Sequence, residues 1–251
     1  MFKKKMLNVA MTAGLLAGGF VPMTAYAEKS DVEIYLQEIV KLQPDVASEQ
    51  VLKEAEALAE SQNMKVEEVL KTYLKEATNN SIQGQKEAEK TNEKSDFQTM
   101  GGSGGVYTIT NSTKGNIYYT PSQTAYLDHG HVGMYYLPDT IVESVPSTGV
   151  RTIKTSNRLV DAGAVIQTVS TSTQNKENAV NWAYSEVGEP YSYNFMNNRN
   201  TGHDGAKNCS KLVWSAFLLK ANIDLDKDGG LGVYPRDIRD SGYTSTIKTF
   251  R

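Results

Sequence analysis

The chain has 251 residues, with 26 Lys+Arg against 29 Asp+Glu and a formal net charge of −3. Neither half of it carries the basic face that nucleic-acid binding needs, so that class is set aside. Hydrophobic residues make up 39%, enough for one sizeable core and a smaller element.

The first element reads as a secretory signal over residues 1–27. Lys3-Lys4-Lys5 is a charged start, Met6 to Val21 an apolar stretch, and Ala25-Tyr26-Ala27 a small-x-small cleavage site. The apolar stretch is short for a membrane span and is interrupted by Asn8 and Thr12. The expectation is a mature chain that begins near Glu28, has no transmembrane segment and is secreted or held in the cell envelope. Residues 28–77 form an acidic helical region. Val32, Leu36 and Ile39, then Val51, Ala55 and Leu58, then Val66, Val69 and Tyr73 recur at helical spacing, with breaks at Gln43-Pro44-Asp45 and Gln62-Asn63. From 28 to 99 there are nine Lys/Arg against sixteen Asp/Glu, the balance of a solvated helical surface. Residues 78–105 are polar and end in Gly101-Gly102-Ser103-Gly104-Gly105, a composition that predicts a flexible linker.

A second domain spans 106–251. Strands are expected at 106–110, 115–120, 131–136, 140–145 and 164–169, a helix from about Lys176 to Val187, and another starting at Cys209. This order predicts an α+β fold, a strand cluster with helices packed to one side.

Cys209 is the only cysteine, so no disulfide can form within the chain. It stands where polar loop turns into the helical pattern Cys209-Ser210-Lys211-Leu212-Val213-Trp214. Unpaired amides and the helix dipole at that point favour thiolate, the nucleophilic form. A cysteine nucleophile needs a base and a group to orient the base. His131 and Glu143 fit: pairing them across a hairpin puts its apex at Leu137, within the turn signal Leu137-Pro138-Asp139, and both side chains on one face. Gly133, on that face, leaves space beside the imidazole. His129 and His203 are rival bases. A buried structural cysteine and a satisfied core histidine are the competing readings at this stage.

His129-Gly130-His131-Val132-Gly133-Met134-Tyr135, Thr140-Ile141-Val142-Glu143, Gly188-Glu189-Pro190-Tyr191 and Asn208-Cys209-Ser210-Lys211-Leu212-Val213-Trp214 together resemble a known family. This is the permuted papain-like cysteine hydrolases, the YiiX/YebB-like branch of the NlpC superfamily. Ordinary NlpC-type enzymes place cysteine before histidine; here histidine comes first, as in the permuted group. The resemblance covers about residues 106–245. It implies a permuted NlpC-type domain with an antiparallel sheet, Cys209 as nucleophile, His131 as base and Glu143 as orienting residue. It also implies an acyl-enzyme whose oxyanion is held by the Cys209 amide, with Tyr191 as a possible second contact. The activity expected is thiol-dependent cleavage of an amide bond, with cell-wall peptide as the leading substrate. The same site acting on a lipid ester or N-acyl group is one alternative, and a non-catalytic envelope-binding protein is another. The helical region would then be a spacer, a binding module or an inhibitory pro-segment.

No cofactor and no metal are expected. Asp224-x-Asp226-x-Asp228-Gly229 opens like a calcium loop, but Pro235 stands where a bidentate glutamate is needed. The sequence sets no oligomeric state.

Overall fold

The structure, a computed structural model, describes residues 30–43, 46–90, 105–121, 123–124 and 127–251. The signal segment expected at 1–27, and residues 91–104 of the expected linker, lie outside the described residues.

Helices α1 (Asp31–Leu42), α2 (Ser48–Gln62) and α3 (Val66–Lys90) follow the apolar spacing. A capping box starts α1: the Glu33 amide donates to Ser30 Oγ, and the Ser30 amide to Glu33 Oε2. Asn63, in the left-handed region at φ 53°, ends α2. Helix α3 corrects one expectation, because residues 78–90 are helical rather than linker. Their buried stripe continues from Ala77 through the small residues Ser81 and Gly84, which a search for large apolar side chains misses.

In the second domain β1 (Tyr107–Thr108), β2 (Ile117–Thr120), β3 (Gln123–Thr124), β4 (Leu127–Asp128), β5 (His131–Leu137), β6 (Thr140–Val145), β7 (Gly149–Lys154), β8 (Leu159–Val160) and β9 (Val165–Val169) precede α4 (Thr173–Ser185), α5 (Cys209–Ala221), α6 (Pro235–Arg239) and β10 (Thr244–Thr249). Six strands form one antiparallel sheet in the order β10-β9-β2-β5-β6-β7. The fold is α+β, as expected. Its two outer strands, β7 and β10, went unforeseen. Strand β10 has its middle exposed and carries Lys248, the polar character of a protected sheet edge.

The alternation of side chains separates two cores. Ile117, Tyr119, Val132, Met134 and Val142 pack with α4 and α5. Tyr118, Tyr135, Ile141 and Ile166 point the other way, to Ile109, Val160 and Phe250. Helix α5 is buried along Cys209–Phe217, as expected of a helix apolar on most sides.

The three N-terminal helices pack directly on this domain. Phe195, Met196 and Tyr234 complete their core. Glu76 accepts the amides of Leu231 (2.9 Å) and Gly232 (3.0 Å), and Glu87 takes Arg239 (2.9 Å) and Arg236 (3.2 Å). No helix among the described residues is long and apolar enough to cross a membrane.

Candidate active site

His131 opens β5 and Glu143 lies within β6, and both are buried. The imidazole Nε2 is 2.9 Å from Glu143 Oε2. Their register differs from the expected one. The pairs are Met134 with Val142 and Tyr135 with Ile141, and an irregularity before Leu137–Thr140 moves the turn to Pro138–Asp139. Carried back by two residues, this register sets Gly133, not His131, opposite Glu143. The slip is even, so both side chains keep the same face, and a glutamate is long enough to reach its diagonal neighbour. Gly133 is needed for this approach. A Cβ there would lie 2.6 Å from Tyr118 Cε1 and 3.1 Å from Glu143 Cβ.

Cys209 is the first residue of α5 and is 1% exposed. Asn208 caps the helix: its side chain accepts from the Lys211 amide (2.8 Å) and its carbonyl from Leu212 (3.1 Å). The amides of Cys209, Ser210 and Val132 face the sulfur. Val132 lies just ahead of the point where β5 starts to pair with β6, so the thiol meets β5 one residue from His131.

The expected thiolate is not the resting form. Burial pushes the Cys209 thiol up to about 12, outweighing the amides that favour thiolate. Burial also lowers the His131 pKa, against the Glu143 hydrogen bond that would raise it. The centre therefore rests as neutral thiol and neutral imidazole. Lys207 and Lys211, both near the thiol in sequence, are engaged elsewhere. The Lys207 ammonium binds Glu186 (2.6 Å), and that of Lys211 binds the Thr201 hydroxyl.

Tyr191 lies in the segment that runs beside the start of α5, where the Lys207 amide donates to Pro190 O at 3.1 Å. Its ring meets Tyr193 edge-on at 4.9 Å. The rival bases are engaged with other partners. His129 bonds its own neighbour Gly130 and packs on Phe195, and burial lowers its pKa to about 3. His203 bonds Ser215 and packs on Trp214, further along α5. In the acidic turn, Asp226, Asp228 and Asp237 bring carboxylate oxygens within 4.8 Å of one another.

Three residues were missed from the sequence: Tyr118, Arg151 and Arg158. Arg151 forks onto Glu143 Oε1 through Nε (3.0 Å) and Nη2 (2.8 Å), Arg158 Nε lies 3.2 Å from Oε2, and the Tyr118 hydroxyl donates to Oε2 at 2.5 Å. Arg151 pairs directly with Glu143 across the β6–β7 hairpin. The turn Pro146-Ser147-Thr148-Gly149 would have revealed it by the same apex argument. Among these partners Glu143 stays ionised. Burial alone would raise its pKa, but Arg158, then the His131 and Tyr118 hydrogen bonds, hold it well below the usual carboxylate range.

An antiparallel sheet carrying its histidine on an early strand and its cysteine on a later helix is the arrangement of the permuted papain-like enzymes. The chain belongs to that group, the permuted papain-like amidases of the YaeF/YiiX, C92 family, whose family model matches residues 110–243. It is 51% identical over 246 residues, 98% of each chain, to the "Uncharacterized protein YycO" of Bacillus subtilis (strain 168). A crystal structure of the "metalloprotein yiiX" of Escherichia coli O157:H7 is similar at 14% identity and a TM-score of 0.38, covering 57% of this chain and 98% of that one. The expectation of a papain-like enzyme of the amidase class is met.

Proposed function

We propose that this protein is a secreted thiol-dependent amidase that acts on cell-wall peptide through Cys209, His131 and Glu143. The observation that carries the reading is the 2.9 Å contact of His131 Nε2 with a buried, ionised Glu143, beside a thiol ringed by three amides. The ionised carboxylate accepts the Nε2 proton and leaves Nδ1 free as base. Because the thiol rests protonated, attack and proton transfer go together. Sγ bonds to the amide carbonyl carbon as its proton passes to Nδ1, and the oxyanion forms near the Cys209 amide. Removing one such donor typically costs about 100- to 1,000-fold in rate. The imidazolium then protonates the leaving amine, and water cleaves the acyl-enzyme with His131 again as base. Export rests on the signal-like residues 1–27, and the wall substrate on that location together with the amidase class.

The test incubates the folded protein with purified wall peptides and, in parallel, with acyl lipids, following newly freed amines and acids by mass spectrometry. Amide cleavage of wall peptide that is lost in Cys209→Ala and His131→Ala is the expected result. Cleavage that persists in Cys209→Ala overturns the site. Turnover of acyl lipid alone overturns the substrate.

A further inference from the structure

Four strands place side chains in one row across the sheet. Tyr118 on β2 pairs with Gly133 on β5, Gly133 abuts Glu143 on β6, and Glu143 pairs with Arg151 on β7. Since Gly133 has no side chain, the Tyr118 ring passes over β5 and its hydroxyl reaches Glu143 Oε2. Arg158, 2% exposed, then donates from Nε to the Tyr118 oxygen at 3.0 Å.

We propose that Tyr118 and Arg158 are positioning residues that fix the tautomer of His131, through a chain in which each group can pass its proton in one direction only. A guanidinium has donors and no acceptor. The Tyr118 oxygen accepts from Arg158, so its own proton goes onward to Glu143 Oε2. That carboxylate is ionised and only accepts, so His131 Nε2 is the donor and Nδ1 is left unprotonated. Arg151 occupies the other carboxylate oxygen and prevents the group from turning over. The arrangement is costly to keep. Arg158 Nη1 is buried with no hydrogen-bond partner, and a buried ion pair replaced as a whole by apolar residues often loses no stability. Its retention here fits a role in orienting the imidazole. The inference rests on the Cys209–His131 reading proposed above.

Two measurements test it on the full chain. The first is the nitrogen chemical shifts of the His131 ring in wild type, Tyr118→Phe and Arg158→Gln. The second is the pH profile of Cys209 alkylation by iodoacetamide in the same proteins and in His131→Ala. Wild type is expected to show one tautomer, protonated at Nε2. The Tyr118→Phe protein, which keeps the ring and so the packing, is expected to show a mixture. Its alkylation should slow about tenfold or more, short of the roughly 100- to 10,000-fold that a positioned base contributes as a whole. A folded Tyr118→Phe protein with one unchanged tautomer and an unchanged pH profile overturns the proposal, whatever Arg158→Gln does. A profile that Tyr118→Phe leaves alone but His131→Ala shifts also overturns it and spares the site. A profile that His131→Ala does not move overturns the site reading instead, and the ring shifts still decide the tautomer.

Discussion

Glu143 is fully buried between two arginines, a tyrosine and a histidine, whereas Glu76, Asp226 and Asp237 gather around the acidic turn with few cations in reach. Around the turn Arg199 pairs closely with Asp224 and Asp226, and Arg239 with Asp240 (2.7 Å), while Glu76 and Asp237 accept backbone amides. Burial raises the carboxyl pKa in both places. At Glu143 cations and donors reverse that rise. At the turn it stands: Glu76 and Asp226 are raised, and Asp237 reaches about 7. Burial alone therefore does not decide whether a carboxylate keeps its charge; the sign of the charges around it does, cations at Glu143 and other carboxylates at the turn.

The contrast is broken most severely by Glu143→Ala. It strands Arg158 as a buried cation without its partner and should cost about 3–5 kcal/mol in a urea melt. A loss under 1 kcal/mol would mean that the arginines find other acceptors and that the cluster does not hold the sheet together. Gly133→Ala should cost less, about 1–3 kcal/mol, as the new methyl pushes Tyr118 off Glu143. It should also split the His131 ring signals as Tyr118→Phe does. An unaltered melt and ring spectrum would show that the row across the sheet tolerates a side chain at its centre.

The smallest effect has the opposite sign. Asp237 has a folded pKa raised from 3.8 to about 7, so its stabilising contribution is complete below about pH 4 and is lost as pH rises through 7. Asp237→Asn, always neutral, should therefore gain about 1 kcal/mol or more over wild type at pH 8 and nothing near pH 4, in buffer free of divalent cations. Glu143 runs the other way: its folded pKa is depressed, so its contribution is present at neutral pH and lost on acidification. A variant that is equally stabilised at both pH values would break the comparison at the turn.

What the sequence disclosed follows from parity and spacing. His131 and Glu143 were found on one face although the expected register was wrong by two residues, because an even slip preserves the face. The start of α5 was legible from the change in pattern at Cys209. The partners of Glu143 were harder. Arg151 could be reached by hairpin arithmetic, but Tyr118 comes to Glu143 only across Gly133, and Arg158 arrives from a 3₁₀ turn with no periodic signal. The ionisation of Cys209 was misjudged because a helix start is visible in sequence and the depth of burial is not. Helix α3 was cut short because its later contacts use small and charged residues.

That helix has a kinetic consequence. Glu76 meets Leu231 across 155 residues of chain, and Glu87 meets Arg239 across 152. Contacts so distant in sequence close late, after the intervening sheet has brought the two regions together. The three helices should thus form early by local pairing and wait undocked. The final, slowest phase of refolding would be the one in which Phe195 and Tyr234 leave water.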